Sequence, residues 1–88
     1  MDKIMTRKIT LGNGNKLKIT PPLRAVEAVI SSASDVTFYE KADSYALSGV
    51  TYGEGVIGKN IAVLAEEPFW ISGTTSQVVY ITYTCRGV

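Results

Sequence analysis

The sequence predicts an all-β fold: a small single-domain β-sandwich or barrel spanning residues 1–88, with about seven short, mainly antiparallel strands. Three observations predict it. Short runs that alternate apolar with polar residues recur along the chain. Clusters of Gly, Asn, Ser, Asp and Pro separate them about every ten residues. At 88 residues there is room for one small domain.

Taken in order, Ile4–Leu11 and Lys16–Thr20 alternate apolar with polar, and Gly12-Asn13-Gly14-Asn15 between them is turn chemistry. Side-chain faces set the expected register. A two-residue Asn13-Gly14 turn pairs Ile9 with Lys18 and mixes charge into the apolar face. A loop of Asn13-Gly14-Asn15 pairs Ile9 with Ile19 and Leu11 with Leu17. It also gathers Lys8, Lys16 and Lys18 on the opposite face. The expectation is therefore a half-buried hairpin with a basic outer side, and residues 1–6 as an extended N-terminal arm.

Pro21-Pro22 ends this unit. Leu23–Ile30 fits a short helix with Leu23, Val26 and Ile30 on one side, or a strand with Val26, Ala28 and Ile30 inward. Its β neighbours favour the strand. Ser34-Asp35 reads as a turn into the strand Val36–Glu40. Tyr45–Leu47 and Val50–Tyr52 are further short strands, followed by a glycine-rich bend at Gly53-Glu54-Gly55. Ile61–Leu64 reads as a buried strand and Phe69–Ile71 as a short one after Pro68. Gly73-Thr74-Thr75-Ser76 turns into Gln77–Cys85, the clearest strand of the chain.

A domain of this size buries only roughly 60–65% of its unfolded surface, so its core is thin. The usual supplements are disulfides, a metal or a partner subunit. Cys85 is alone, so no disulfide can form within the chain, and there is no histidine to build a zinc site. A partner surface remains. Composition agrees: 45% of residues are hydrophobic and 19% charged, against a common charged share of about 25%.

Charge is unevenly spread. Up to residue 24, Lys3, Arg7, Lys8, Lys16, Lys18 and Arg24 stand against Asp2, a net +5. From 25 to 67, Glu27, Asp35, Glu40, Asp43, Glu54, Glu66 and Glu67 stand against Lys41 and Lys59, a net −5. Such asymmetry suits contacts between neighbouring copies. Met1-Asp2-Lys3 leads into a polar, β-branched stretch, so no secretory leader is expected. The uncharged run Pro68–Cys85 is too polar for a membrane helix. Folding in a reducing cytoplasm is expected.

Catalysis and cofactor binding are not expected. Gly53-Glu54-Gly55-Val56-Ile57-Gly58 matches a dinucleotide fingerprint, but that motif needs a helix after its last glycine. Lys59–Leu64 reads as strand instead. A Ser or Cys nucleophile has no His base. Adjacent Glu66 and Glu67 point to opposite faces of an extended segment and cannot flank one bond. Scattered carboxylates offer no oxygen cage for a metal.

Nucleic-acid binding is disfavoured as well. The lysines of the hairpin and the aromatics Tyr39, Tyr45, Tyr52 and Trp70 do not interleave in sequence, and the acidic middle repels phosphate. Phe69-Trp70 suits an interface anchor, since Trp is enriched at binding hot spots, but in a small domain with one Trp the pair is expected in the core. The interface candidates are Lys8, Lys16, Lys18, Arg24, Phe69 and Trp70.

In its β-rich style the chain resembles small virion proteins of tailed bacteriophages, the capsid decoration (cement) or head-associated class. The segments that carry the likeness are Ser34–Tyr39, Ser48–Gly53 and Gly73–Tyr83. The resemblance assigns no residue a role. It implies a small β-sandwich or barrel, made in the host cytoplasm and present in many copies on the capsid surface. There it braces neighbouring major capsid subunits, often as a dimer or trimer. The expected function is a non-catalytic structural protein of this kind, with no cofactor, no nucleic acid and no membrane. The alternatives are a small single-stranded nucleic-acid-binding barrel, a phage tail or neck component, or a carbohydrate-binding module.

Overall fold

One long strand organises the chain. In the computed structural model, which describes residues 3–12, 16–40 and 56–87, six strands form: β1 (Lys3–Thr10), β2 (Leu17–Ile19), β3 (Ala25–Tyr39), β4 (Val56–Leu64), β5 (Phe69–Ser72) and β6 (Val78–Cys85). All described pairings are antiparallel. β4 follows one edge of β3 along its length. The other edge is shared: β6 takes the first half and β5 the second. β1 pairs beyond β6, and β2 beyond β5. The result is an all-β, open, curled sheet, a half-barrel.

β3 can serve both halves because it is irregular at two points. Ala25 pairs with Cys85 and Glu27 with Thr84, so Val26 is an extra residue that shifts the inward set from Ala25 to Ala28 and Ile30. Further on, Ser32–Asp35 stand against Lys59 alone on β4. A bulge of this size bends the strand, and Val36 and Phe38 resume the inward alternation beyond it. Gly58 lies on β4 where that ladder slips.

The bend is held by one side chain. The Gln77 amide nitrogen donates to Ser32 Oγ at 2.8 Å, to the Ser34 carbonyl at 3.0 Å and to the Asp35 carbonyl at 3.2 Å. Its oxygen accepts from the Thr74 N–H at 2.9 Å and the Thr74 hydroxyl at 3.2 Å. Gln77 thus ties the β3 bulge to the β5–β6 turn. Gly73 makes room for it: a Cβ there would collide with the Gln77 amide and lie 2.7 Å from Leu11 Cδ1.

The core fills the concave side. Ile30 stands between Ile81 and Ile61, and Ala28 between Tyr83 and Val63. Phe38 faces Ile71, and Ile19 faces Phe69. The Phe38 and Phe69 rings are 5.4 Å apart and tilted by 46°, a favourable aromatic geometry. Cys85 is a buried, free member of this core.

Several expectations change. β1 and β2 do not form a hairpin; each pairs elsewhere. The alternation that suited Ile9 to Ile19 suits Val79 equally, and β6 offers β1 eight ladder partners where β2 has only three residues. Asn13-Gly14-Asn15 lies outside the described residues. Residues 3–6 are no free arm, because they pair with Thr82–Cys85 within the same chain. Leu23–Ile30 is strand from Ala25 onward. Ser34-Asp35 is not a turn but the bulge of a continuous strand. Tyr45–Leu47, Val50–Tyr52 and the Gly53-Glu54-Gly55 bend lie outside the described residues.

Candidate functional site

The inward faces of the two halves of β3 are alike, but their outward faces differ in chemistry. On the β6 side the register generates three outer rows, each crossing β1, β6, β3 and β4: Ile4-Thr84-Glu27-Leu64, Thr6-Thr82-Val29-Ala62 and Lys8-Tyr80-Ser31-Asn60. Only Lys8 and Glu27 are charged, and they have opposite signs. Ile4 and Leu64 are each 73% exposed and close the first row at its two ends. Thr6 and Thr82 hydroxyls meet at 3.1 Å, and Ser31 Oγ donates to Asn60 Oδ1 at 2.8 Å. Much of the polar character of this face is thereby spent within it.

The outer face of the β5 side is aromatic and basic. Tyr39 pairs with Trp70, and Trp70 with Lys18, so the three form one outward row. Lys18 Nζ lies 5.9 Å from the Trp70 ring centroid, and Lys16 Nζ lies 4.0 Å above the Tyr39 ring. Both are cation–π contacts, which require an open ring face. Ser72 Oγ donates to Tyr39 Oη at 3.4 Å and orients the phenol.

Next to this platform, β1 and β2 are the facing rims of a cleft of about 460 Å³. Arg7, Lys8 and Lys18 line it, with Ile9, Leu17 and Tyr83 at its apolar wall. Among the described residues, no acidic one lines it. Arg7 owes its place to register: it stands opposite Ile81 on the concave side, at the rim where the sheet ends. The Tyr83 phenol is 1% exposed. Burial raises its pKa above the ordinary 10.0, while the nearby Arg7 cation pulls the other way and Cys85 adds a small further rise.

The six candidate interface residues are thus divided. Lys16, Lys18 and Trp70 form the platform, and Lys8 joins Lys18 at the cleft. Arg24 is apart from both, in the turn before β3, with φ of 71° and its carbonyl accepting the Arg86 N–H at 2.9 Å. Phe69 is 2% exposed and belongs to the core; strand alternation turns it inward as it turns Trp70 outward. Lys16, Lys18, Tyr39 and Trp70 do interleave in space, although separated in sequence. Arg7 was not among the sequence candidates, because it read as one polar position of an alternating strand; Tyr39 was weighed there only as one of four aromatics with no lysine beside it in sequence.

The carboxylates of the described residues lie elsewhere. Glu40, Glu66 and Glu67 border a concavity with Phe38, Leu64, Pro68 and Phe69. Phe69 and Trp70 project from opposite faces of β5, so acidic and basic surfaces lie on opposite sides of that strand. Of the three glycines in the fingerprint-like stretch, Gly58 lies within β4 and strand continues after it; Gly53 and Gly55 lie outside the described residues.

No protein-family model matches this chain, and neither a curated protein nor a solved structure matches it.

Proposed function

We propose that this chain is a non-catalytic structural subunit of a multi-subunit assembly, in the manner of the phage capsid decoration proteins it resembles. The observation that carries this reading is the outer face of β1, β6, β3 and β4. Twelve positions in three rows present Ile, Val, Leu, Ala, Thr, Tyr, Ser and Asn with one charge of each sign. Five of the twelve are apolar or aromatic, and Ile4, Leu64 and Tyr80 among them are exposed, the kind of surface that marks protein contact sites. A depleted charge content is the compositional mark of an interface core. Lys8 and Glu27, placed diagonally, set the register of a neighbour that carries complementary charge, a major capsid subunit or a second copy.

The test is sedimentation. The purified chain is expected to self-associate at micromolar concentration, or to co-sediment with the particle to which it belongs. Thr82→Glu, which puts a charge in the middle row, is expected to abolish either behaviour without lowering the thermal midpoint by more than a few degrees. A stable monomer that joins no large particle overturns the reading.

A further inference from the structure

We propose that the cleft between β1 and β2 receives an extended acidic segment of another polypeptide, which pairs as a strand with the free edge of β1. This goes beyond the assembly reading: the outer face docks against a surface, whereas the cleft takes a strand.

The backbone of β1 supplies the first reason. The Leu11 N–H donates to the Gln77 carbonyl at 2.8 Å, and the Leu11 carbonyl accepts the Ser76 N–H at 2.9 Å. Leu11 therefore turns its backbone groups toward the β6 side. Along an antiparallel ladder these directions alternate, so Ile9, Arg7 and Met5 bond to β6 as well. Ile4, Thr6, Lys8 and Thr10 aim theirs the other way. Among the described strands, none pairs with that edge of β1. It follows a rim of the cleft, where Arg7, Lys8 and Ile9 stand. A row of alternating donors and acceptors is a template for one more strand.

Strand direction supplies the second. Every ladder in the order β1-β6-β3-β5-β2 is antiparallel. β1 and β2 each lie two ladders from β3, so both run in its sense and cannot close on each other as an antiparallel pair. A single strand laid between them antiparallel to β1 is antiparallel to β2 as well. The cleft of about 460 Å³ lies where that strand belongs, and closing a sheet in this way removes its edges.

Charge identifies the occupant. Arg7 stands on one rim and Lys18 on the other, and no described acidic residue lines the cleft. The Arg7 guanidinium meets the Met5 sulfur at 3.7 Å and the Lys18 ammonium lies 5.9 Å from the Trp70 ring centroid; among the described residues neither meets a carboxylate. Lys8 is left out of this count, because its side chain belongs to the outer face. Ile9 and Leu17 add an apolar wall. A strand that alternates acidic with aliphatic residues matches the cations, the wall and the edge together. A nucleic-acid backbone offers acceptors to the edge amides and no donors to the edge carbonyls. A small anion leaves the whole edge unpaired.

The test uses the intact chain and a dye-labelled peptide of about seven residues, the span of Ile4–Thr10, in which glutamate alternates with valine. Anisotropy is expected to show saturable binding at low salt that weakens as salt is added. The same peptide with lysine for glutamate is expected not to bind, and a central proline, which removes a ladder donor, is expected to abolish binding. Arg7→Gln and Lys18→Gln change exposed side chains, and each is expected to weaken binding by about two- to fivefold. Thr6→Pro removes one cleft-facing N–H while leaving the β6 ladder whole, and is expected to weaken binding about tenfold, with Thr6→Ala close to the native chain. Amide exchange reads the same contact without any variant: saturating peptide is expected to protect the N–H groups of Ile4, Thr6, Lys8 and Thr10. The proposal is overturned by absence of binding at low salt, by equal affinity for the lysine peptide, or by a bound state in which those four amides exchange as fast as in the free chain. The peptide binds a single chain, so this failure is separate from failure of the outer-face reading, which sedimentation of Thr82→Glu reports.

Discussion

The first half of β3, Ala25–Ser31, and its second half, Val36–Tyr39, share an inner face and differ outside. Inward, both present small and branched apolar residues or phenylalanine to one core: Ala28 and Ile30 in the first, Val36 and Phe38 in the second. Outward, the first half contributes Glu27, Val29 and Ser31 to a threonine-rich, nearly uncharged surface. The second contributes Tyr39 to an aromatic surface under lysine cations. The bulge between them separates two surfaces that one strand carries. Inner positions answer to packing and are chemically interchangeable within limits of volume; outer positions are free to differ.

The comparison breaks most completely at a residue both halves need. Ile71 is fully buried opposite Phe38, and Ile71→Ala is expected to cost about 3–4 kcal/mol, read by urea denaturation as one cooperative loss of both halves. Independent melting of the two halves would show that they are separate units. Next is the joint itself. Gln77→Ala removes the amide that holds the Ser34 and Asp35 carbonyls, with an expected cost of about 1–3 kcal/mol. Amide exchange is expected to quicken at the bulge first, and a uniform change along β3 would refute Gln77 as the local tie.

Alkaline pH sharpens the contrast from the first half. Tyr83 faces Ala28, and burial raises its folded pKa above the 10.0 of the unfolded chain. A raised folded value means that its contribution to stability is complete below pH 10 and is lost as pH climbs through the folded pKa. Stability of the native chain is therefore expected to fall above pH 10 more steeply than that of Tyr83→Phe, measured by urea midpoints on both proteins. Parallel curves would remove the effect. The smallest change is at the entry to β3. Arg24 adopts a left-handed conformation, with the Ala25 N–H donating to the Pro22 carbonyl at 3.1 Å. Arg24→Gly is expected to stabilise by about 0.5–1 kcal/mol by relieving that conformation, read by the urea midpoint.

Much of this was legible beforehand, unevenly. Alternation in Gln77–Cys85 identified β6, and Phe69–Ile71 after Pro68 identified β5; which of their residues face the core came from the structure. The β1–β2 hairpin misled because a turn-like Gly12–Asn15 and matched apolar faces satisfy local rules, while β6 supplies a longer ladder from the far end of the chain. Ser34-Asp35 misled because a bulge and a turn draw on the same small polar residues. The platform was hidden for another reason: Lys16, Lys18, Tyr39 and Trp70 come from three segments, and only strand pairing makes them neighbours.

By itself the sequence determined the class of the fold, the position of most strands, and the absence of histidine and of a disulfide partner for Cys85. These follow from periodicity and composition, which act over a few residues at a time. Tertiary structure alone decided which strands pair, that β3 bends once and serves two half-sheets, and that cations and aromatic rings meet on one face. Those outcomes depend on competition among distant ladders for the same edges, and that competition is settled only when the whole sheet closes over its core.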